Sequence, residues 1–310
     1  MQGRQTETVS AAAQGIDTWP DQHILAALAE GQARGAAAVS SAFTDIARAA
    51  DLLANALNTG GRLIYVGAGS SGLIAKLDAL ELPGTFGIRP DQAVALIAGG
   101  AASFERLDGS VEDDADLARA DITAVNVGPR DLVIGISASG ATIYTCAALK
   151  EAQARGAKTV GIACNSSAPI FEGVAVAITL LSGAEVLAGS TRMGAGTAQK
   201  AALNLLSTLT AIKLGHVHDG MMVNVRAENE KLRQRAAAIV ARVAQIDLAA
   251  AQETLQRADF EPKIAILLAA GAKDTADAAR LLQESHGHLR PALAWLGATP
   301  HAAATASGTK

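Results

Sequence analysis

Aromatic residues are scarce, making up 3% of the 310 residues, while apolar residues as a class make up half. The core is therefore built from Ala, Val, Leu and Ile, which suits helices packed on a parallel sheet. With a net charge of -4, no basic stripe and no aromatic pattern of the kind that stacks nucleic-acid bases, a nucleic-acid partner is not expected. Cysteine occurs twice, as Cys146 and Cys164, without C-x-x-C spacing, so both read as small buried residues in a reducing compartment. No apolar run reaches the roughly 18 residues needed to span a bilayer. The start, MQGRQTETVS, lacks the charged and apolar segments of a signal peptide. These absences predict a cytoplasmic protein with no membrane partner.

What the chain does have is RLIYVGAGSSG at residues 62–72, a short apolar run opening into a glycine- and serine-rich turn and then a helical pattern. Gly67, Ala68 and Gly69 let the backbone turn tightly, and Ser70 and Ser71 offer hydroxyl and amide donors at a helix N-terminus, a setting that holds phosphate. No Walker lysine follows. Gly67, Gly69 and Gly72 satisfy G-x-G-x-x-G, but a dinucleotide site needs an acidic residue closing the second strand, and AVALIAGG at 93–100 ends in glycines. A phosphate monoester is the better fit, and no cofactor is expected.

A second turn of the same kind follows DLVIGI at 131–136, with Ser137, Ser139, Gly140 and Thr142 ahead of another helical pattern. Strands are predicted at 62–66, 93–98, 131–136, 158–163 and 174–180, with helices between most of them. The expected fold is α/β, a doubly wound five-stranded parallel sheet with a small all-helical unit at the C-terminus. Ligands of such sheets sit beyond the carboxyl ends of the strands, so both turns are expected to serve one phosphorylated ligand. The predicted divisions are an N-terminal arm and helix (1–60), a phosphate-binding core (61–225) and the helical unit (226–310). Residues 1–20 read as extended, 22–57 as helical, and 191–214 as a long helix capped by Ser190 or Thr191. Residues 301–310 read as a disordered tail.

These segments resemble the sugar isomerase (SIS) domain, and the wider chain is similar to N-acetylmuramic acid 6-phosphate etherases. The resemblance rests on VGAGSSG, LDALELPGTFG (77–87), LIAGG (96–100), VEDD (111–114), GISASGATIY (135–144), EVLAGSTRMGAGTAQKAALNLLST (185–208) and MMVNVRAENEKL (221–232), with an echo in SHGHLRPAL (285–293). It implies a lyase that cleaves the lactyl ether of N-acetylmuramic acid 6-phosphate to N-acetylglucosamine 6-phosphate and D-lactate. A carboxylate takes the C2 proton of the open-chain sugar, lactate leaves from C3, and water adds across the double bond. The resemblance further implies a homodimer with sites at the interface. The family's acid/base glutamates correspond to Glu81 and Glu112. Phosphate and substrate contacts are expected from Gly69, Ser70, Ser71, Ser137, Ser139, Gly140, Thr142, Ser190, Thr191, Arg192 and Lys200.

Read from the residues alone, Glu81 sits late in a helix that Pro83 would stop, in an apolar setting that raises its pKa, and Glu112 lies among carboxylates that favour its protonation. The match is not complete. Leu73, Ala141 and Gly194 stand where typical etherases carry two arginines and a lysine, Ile143 and Gly84 replace prolines, and Asn224-Val225 replaces Asp-Val. Two other readings of the same fold therefore stay open: a non-catalytic phosphosugar sensor, as in the glucokinase regulatory protein, and a sugar-phosphate isomerase. His216 and His218, with Asp219 next to them, lack further ligands in sequence, and no metal site is expected.

Overall fold

The computed structural model describes residues 5–226 and 229–297, so the expectation for 301–310 lies outside the described residues. The chain divides into two compact units, Met1–Leu82 with Ile88–Thr210, and Pro83–Gly87 with Ala211–Lys310.

In the first unit, five strands, β1 (Leu63–Gly67), β2 (Ala93–Ile97), β3 (Leu132–Ile136), β4 (Lys158–Ala163) and β5 (Val176–Thr179), form one sheet in the order β2-β1-β3-β4-β5. All neighbours are parallel. β1 and β3 are buried at every residue, as expected for strands covered on both faces. The helices are α1 (Asp21–Ala38), α2 (Phe43–Asn58), α3 (Gly69–Phe86), α4 (Ala115–Ala124), α5 (Ile143–Ala154) and α6 (Gly194–Lys213), the last residues of α3 and α6 belonging to the second unit.

Alternation along β1 sorts the two faces. Ile64 and Val66 join Val133 in a buried cluster with Ile122 of α4 and Tyr144, Ala148 and Leu149 of α5. Tyr65 points the other way and donates to Asp78 of α3 at 2.8 Å; Asn204 and Ser207 of α6 donate to the other oxygen of that carboxylate. Burial pushes the Asp78 pKa up, and the three donors offset part of the cost of an enclosed carboxylate.

Three local expectations are corrected. Residues 5–18 are not extended; they make three one-turn 3-10 helices, Gln5–Glu7, Ala11–Ala13 and Ile16–Thr18, the last of them set by the positive φ of Gly15 and by the Thr18 hydroxyl, which donates to the Gly15 carbonyl. α3 does not stop at Pro83. The proline forfeits one backbone bond, the helix runs on to Phe86, and the Gly87 N–H closes it on the Pro83 carbonyl. α6 begins at Gly194 rather than Thr191, for a reason that belongs to the site.

Among its described residues the second unit is helical apart from turns and a short hairpin of β6 (Val217–His218) and β7 (Met221–Met222). Its helices α7 (Glu230–Ala244), α8 (Leu248–Arg257), α9 (Pro262–Ala269), α10 (Thr275–Glu284) and α11 (Leu289–Trp295) enclose a core that includes Val223, Val240, Leu255, Ile266, Leu267, Leu281 and Leu289. Burial lowers His216 to about 4 and Lys263 to about 8, and the Lys263 ammonium donates to the Gly287 carbonyl at 3.2 Å. Among the described residues no group of three or more His, Cys, Asp or Glu is arranged to hold a metal ion.

Candidate phosphosugar site

β1 connects onward to β2 on one side, while β3 lies on its other side, so the chain switches direction between β1 and β3. Gly67 and Ile136, the last residues of these two strands, are register partners. The two hydroxyl-rich turns therefore leave neighbouring strands, about 4.8 Å apart, at the switch point where ligands of open α/β sheets bind.

The first turn is tight because two glycines face each other: a Cβ on Gly67 would stand 2.9 Å from the Gly72 nitrogen, and one on Gly72 2.9 Å from the Gly67 oxygen. α3 then opens at Gly69, which takes a positive φ, and its first N–H groups lack helical partners and present the positive end of the helix dipole. Ser70 is half-buried, and Ser71 is buried with its Oγ 3.0 Å from Gln199 Oε1.

The second turn is held by its own hydroxyls. Gly140 N–H donates to Ser137 Oγ and Ala141 N–H to Ser139 Oγ, while Ser137 Oγ lies 2.8 Å from Thr142 Oγ1 and 3.3 Å from Ser139 Oγ. Three hydroxyls joined by two contacts leave one proton for an external acceptor. Asn165, which follows β4, donates to the carbonyls of Ala138 and Ser139 and fixes the loop from outside.

Glu112 stands against the first turn: a Cβ on Gly69 would lie 2.8 Å from its Oε1. Partial burial raises its pKa, and Asp113 raises it further. Glu81 differs from expectation. It is exposed rather than enclosed, and it lies more than three turns beyond Gly69, about 18 Å along α3. The turn before α6 carries half-buried Ser190 and Thr191 and exposed Arg192, whereas exposed Lys200 lies on α6 and bonds Asn204.

Neither Ser190 nor Thr191 caps α6. The buried Glu185 carboxylate accepts the N–H groups of Gly194 (2.9 Å) and Ala195 (2.8 Å), leaving residues 190–193 as a separate turn. Gly194 is tightly enclosed on this backbone: a Cβ there would meet Glu185 Oε2 at 3.1 Å and the Gly31 carbonyl of α1 at 3.2 Å, so a longer residue needs its neighbours to give by a few tenths of an ångström. Glu185→Ala is expected to cost about 2–3 kcal/mol in urea unfolding, the loss of a carboxylate bonded to two buried donors; a loss under about 0.5 kcal/mol would contradict the capping role. Neither Glu185, Gln199 nor Asn165 was legible as a site residue. Each acts on backbone or side chains far away in sequence, and no local spacing announces that.

The SIS domain family matches residues 28–164. A parallel sheet of this order with two such turns at its switch point makes the chain an SIS-domain protein. Curated relatives named N-acetylmuramic acid 6-phosphate etherase match nearly its whole length: one from Streptomyces avermitilis is 44% identical over 90% of both chains, and one from Serratia proteamaculans is 41% identical over 93% of this chain and 97% of its own. The chain belongs to the N-acetylmuramic acid 6-phosphate etherase family.

Proposed function

We propose that the protein is a carbon-oxygen lyase that cleaves the lactyl ether of N-acetylmuramic acid 6-phosphate, yielding N-acetylglucosamine 6-phosphate and D-lactate. Family membership over nine-tenths of the chain is the observation that carries this reading. The phosphate is bound by the N–H groups and hydroxyls of Gly69, Ser70 and Ser71 together with the hydroxyls of Ser137, Ser139 and Thr142, which Gly140 holds in place through its N–H, and Arg192 and Lys200 supply positive charge to the substrate. Two donor-rich turns from adjacent strands support this assignment.

Elimination requires loss of the C2 proton, made acidic by the neighbouring aldehyde of the open-chain sugar. Glu112 is the base. Its raised proton affinity makes it a better acceptor for a carbon acid than an ordinary carboxylate. Glu81 handles the second proton, on the departing lactate oxygen. At about 18 Å along α3 it cannot reach a ligand held at the first turn of its own chain, so Glu81 of the partner subunit completes each site. Two features support a homodimer. Leu77 and Leu80, on the same stretch of α3 as Glu81, are 46% and 64% exposed, and an apolar groove of about 630 Å³ lies between α1, α2 and α6, lined by Val39, Phe43 and Leu205 among others. No described helix is long and apolar enough to cross a membrane, and with both cysteines free the cytoplasm is the proposed address.

Mixing two inactive variants tests the shared site. Glu81→Gln and Glu112→Gln subunits, exchanged at random, are expected to recover about a quarter of wild-type activity, because half the dimers then contain one intact site of two. No recovery in demonstrably exchanged dimers would put both glutamates in one chain.

A further inference from the structure

Gln199 is completely buried on α6, yet it reaches the first turn of the site. α6 leans on α3 here: a Cβ on Gly196 would lie 3.5 Å from Ile74 Cδ1. With Gln199 Oε1 facing Ser71 Oγ, the amide nitrogen has no partner among the described residues and both its protons are unsatisfied. The two ends of a primary amide are nearly identical in shape, so the pair admits a second sense at no steric cost. In that sense Nε2 donates to Ser71 Oγ and one of the two orphan N–H groups is satisfied; the other stays unpaired, and a carbonyl oxygen, which is tolerated bare better than a buried N–H, takes the place of the first.

The two senses differ in what Ser71 offers to a ligand. If Ser71 donates inward to Gln199, its only proton is spent and lone pairs face the anion. If Gln199 donates, the Ser71 proton is free and can point outward. We propose that Gln199 is the positioning residue of the first turn: its amide nitrogen donates to Ser71 Oγ and aims the Ser71 hydroxyl proton at the phosphate ester. Glu185 contributes by fixing the start of the helix that carries Gln199. The inference rests on the phosphosugar reading of the site.

The test is a double-mutant cycle read by calorimetric titration of N-acetylglucosamine 6-phosphate into the full-length protein, using wild type, Gln199→Met, Ser71→Ala and the double variant. Each single change is expected to weaken binding about tenfold, and the double variant is expected to be no weaker than Ser71→Ala alone. In turnover of N-acetylmuramic acid 6-phosphate, Gln199→Met raises KM with kcat little changed, a split that loosened packing would not produce. Should Gln199→Met not fold, Gln199→Glu keeps the shape; held neutral by burial, its carboxyl O–H still donates to Ser71 Oγ, so it is expected to bind within about threefold of the wild type, and a tenfold loss there would count against the donor role. Multiplicative losses in the double variant, or unchanged affinity in Gln199→Met, would overturn the role of Gln199 while leaving the site intact. Failure of the wild type to bind N-acetylglucosamine 6-phosphate would instead overturn the phosphosugar reading and the inference with it.

Discussion

Glu112→Gln is expected to lower kcat for lactate release by about 10²–10⁴-fold, the usual contribution of a positioned general base, with the fold intact by circular dichroism. The substitution keeps the shape beside Gly69 and removes only the proton acceptor. The pH profile gives a second signature. A base must be deprotonated to act, and burial with Asp113 close by raises Glu112 above the ordinary glutamate value of 4.5. In the wild type kcat/KM therefore rises with pH through a limb displaced upward from 4.5, and in Glu112→Gln the residual rate loses that limb. An unchanged rate, or a limb that survives the substitution, would remove Glu112 from the chemistry.

Gly140→Ala has the largest expected effect on the fold. Gly140 holds φ at +71°, and an added Cβ would stand 2.8 Å from the Ala163 methyl and closer still to that of Ala168. The conformational penalty and the overlap together are expected to cost about 2–4 kcal/mol, measured by urea unfolding. Because the Gly140 N–H is the group that Ser137 holds and its carbonyl accepts from Ile170, phosphosugar affinity should fall in the same variant. A variant within about 0.5 kcal/mol of wild type would show that the second turn has slack this account denies.

The parts of the fold that could be read in advance are those fixed by neighbours in sequence. Strands such as LIYVG are short apolar runs ended by glycine, and the turns after β1 and β3 carry their own hydroxyls and small residues, so strand, turn and helix start are written within a dozen positions. The five strands fell within one residue of the expected bounds at either end, except that β5 begins at Val176 rather than at 174. Longer-range effects were hidden. α6 looked capped by Ser190 or Thr191 because both are good N-cap residues; the actual cap, Glu185, comes from a loop that folds back nine residues earlier than Gly194. Pro83 looked like a stop, yet a helix already packed along most of its length absorbs the loss of one hydrogen bond. Glu81 was expected in an apolar setting; Leu82 next to it is buried, but Leu77 and Leu80 are exposed on the chain itself, as Glu81 is. That misreading is informative in its own right, since an apolar helix face around an acidic residue is what a shared active site would leave uncovered in one subunit.

Elimination and rehydration of the lactyl ether place an oxygen atom from water on the sugar, and its fate is followed by incubating the protein with N-acetylmuramic acid 6-phosphate in heavy-oxygen water and analysing both products. The expectation is unlabelled D-lactate and N-acetylglucosamine 6-phosphate carrying the heavy oxygen at C3. Label in the lactate, or binding and aldose-ketose conversion with no lactate released, would contradict it.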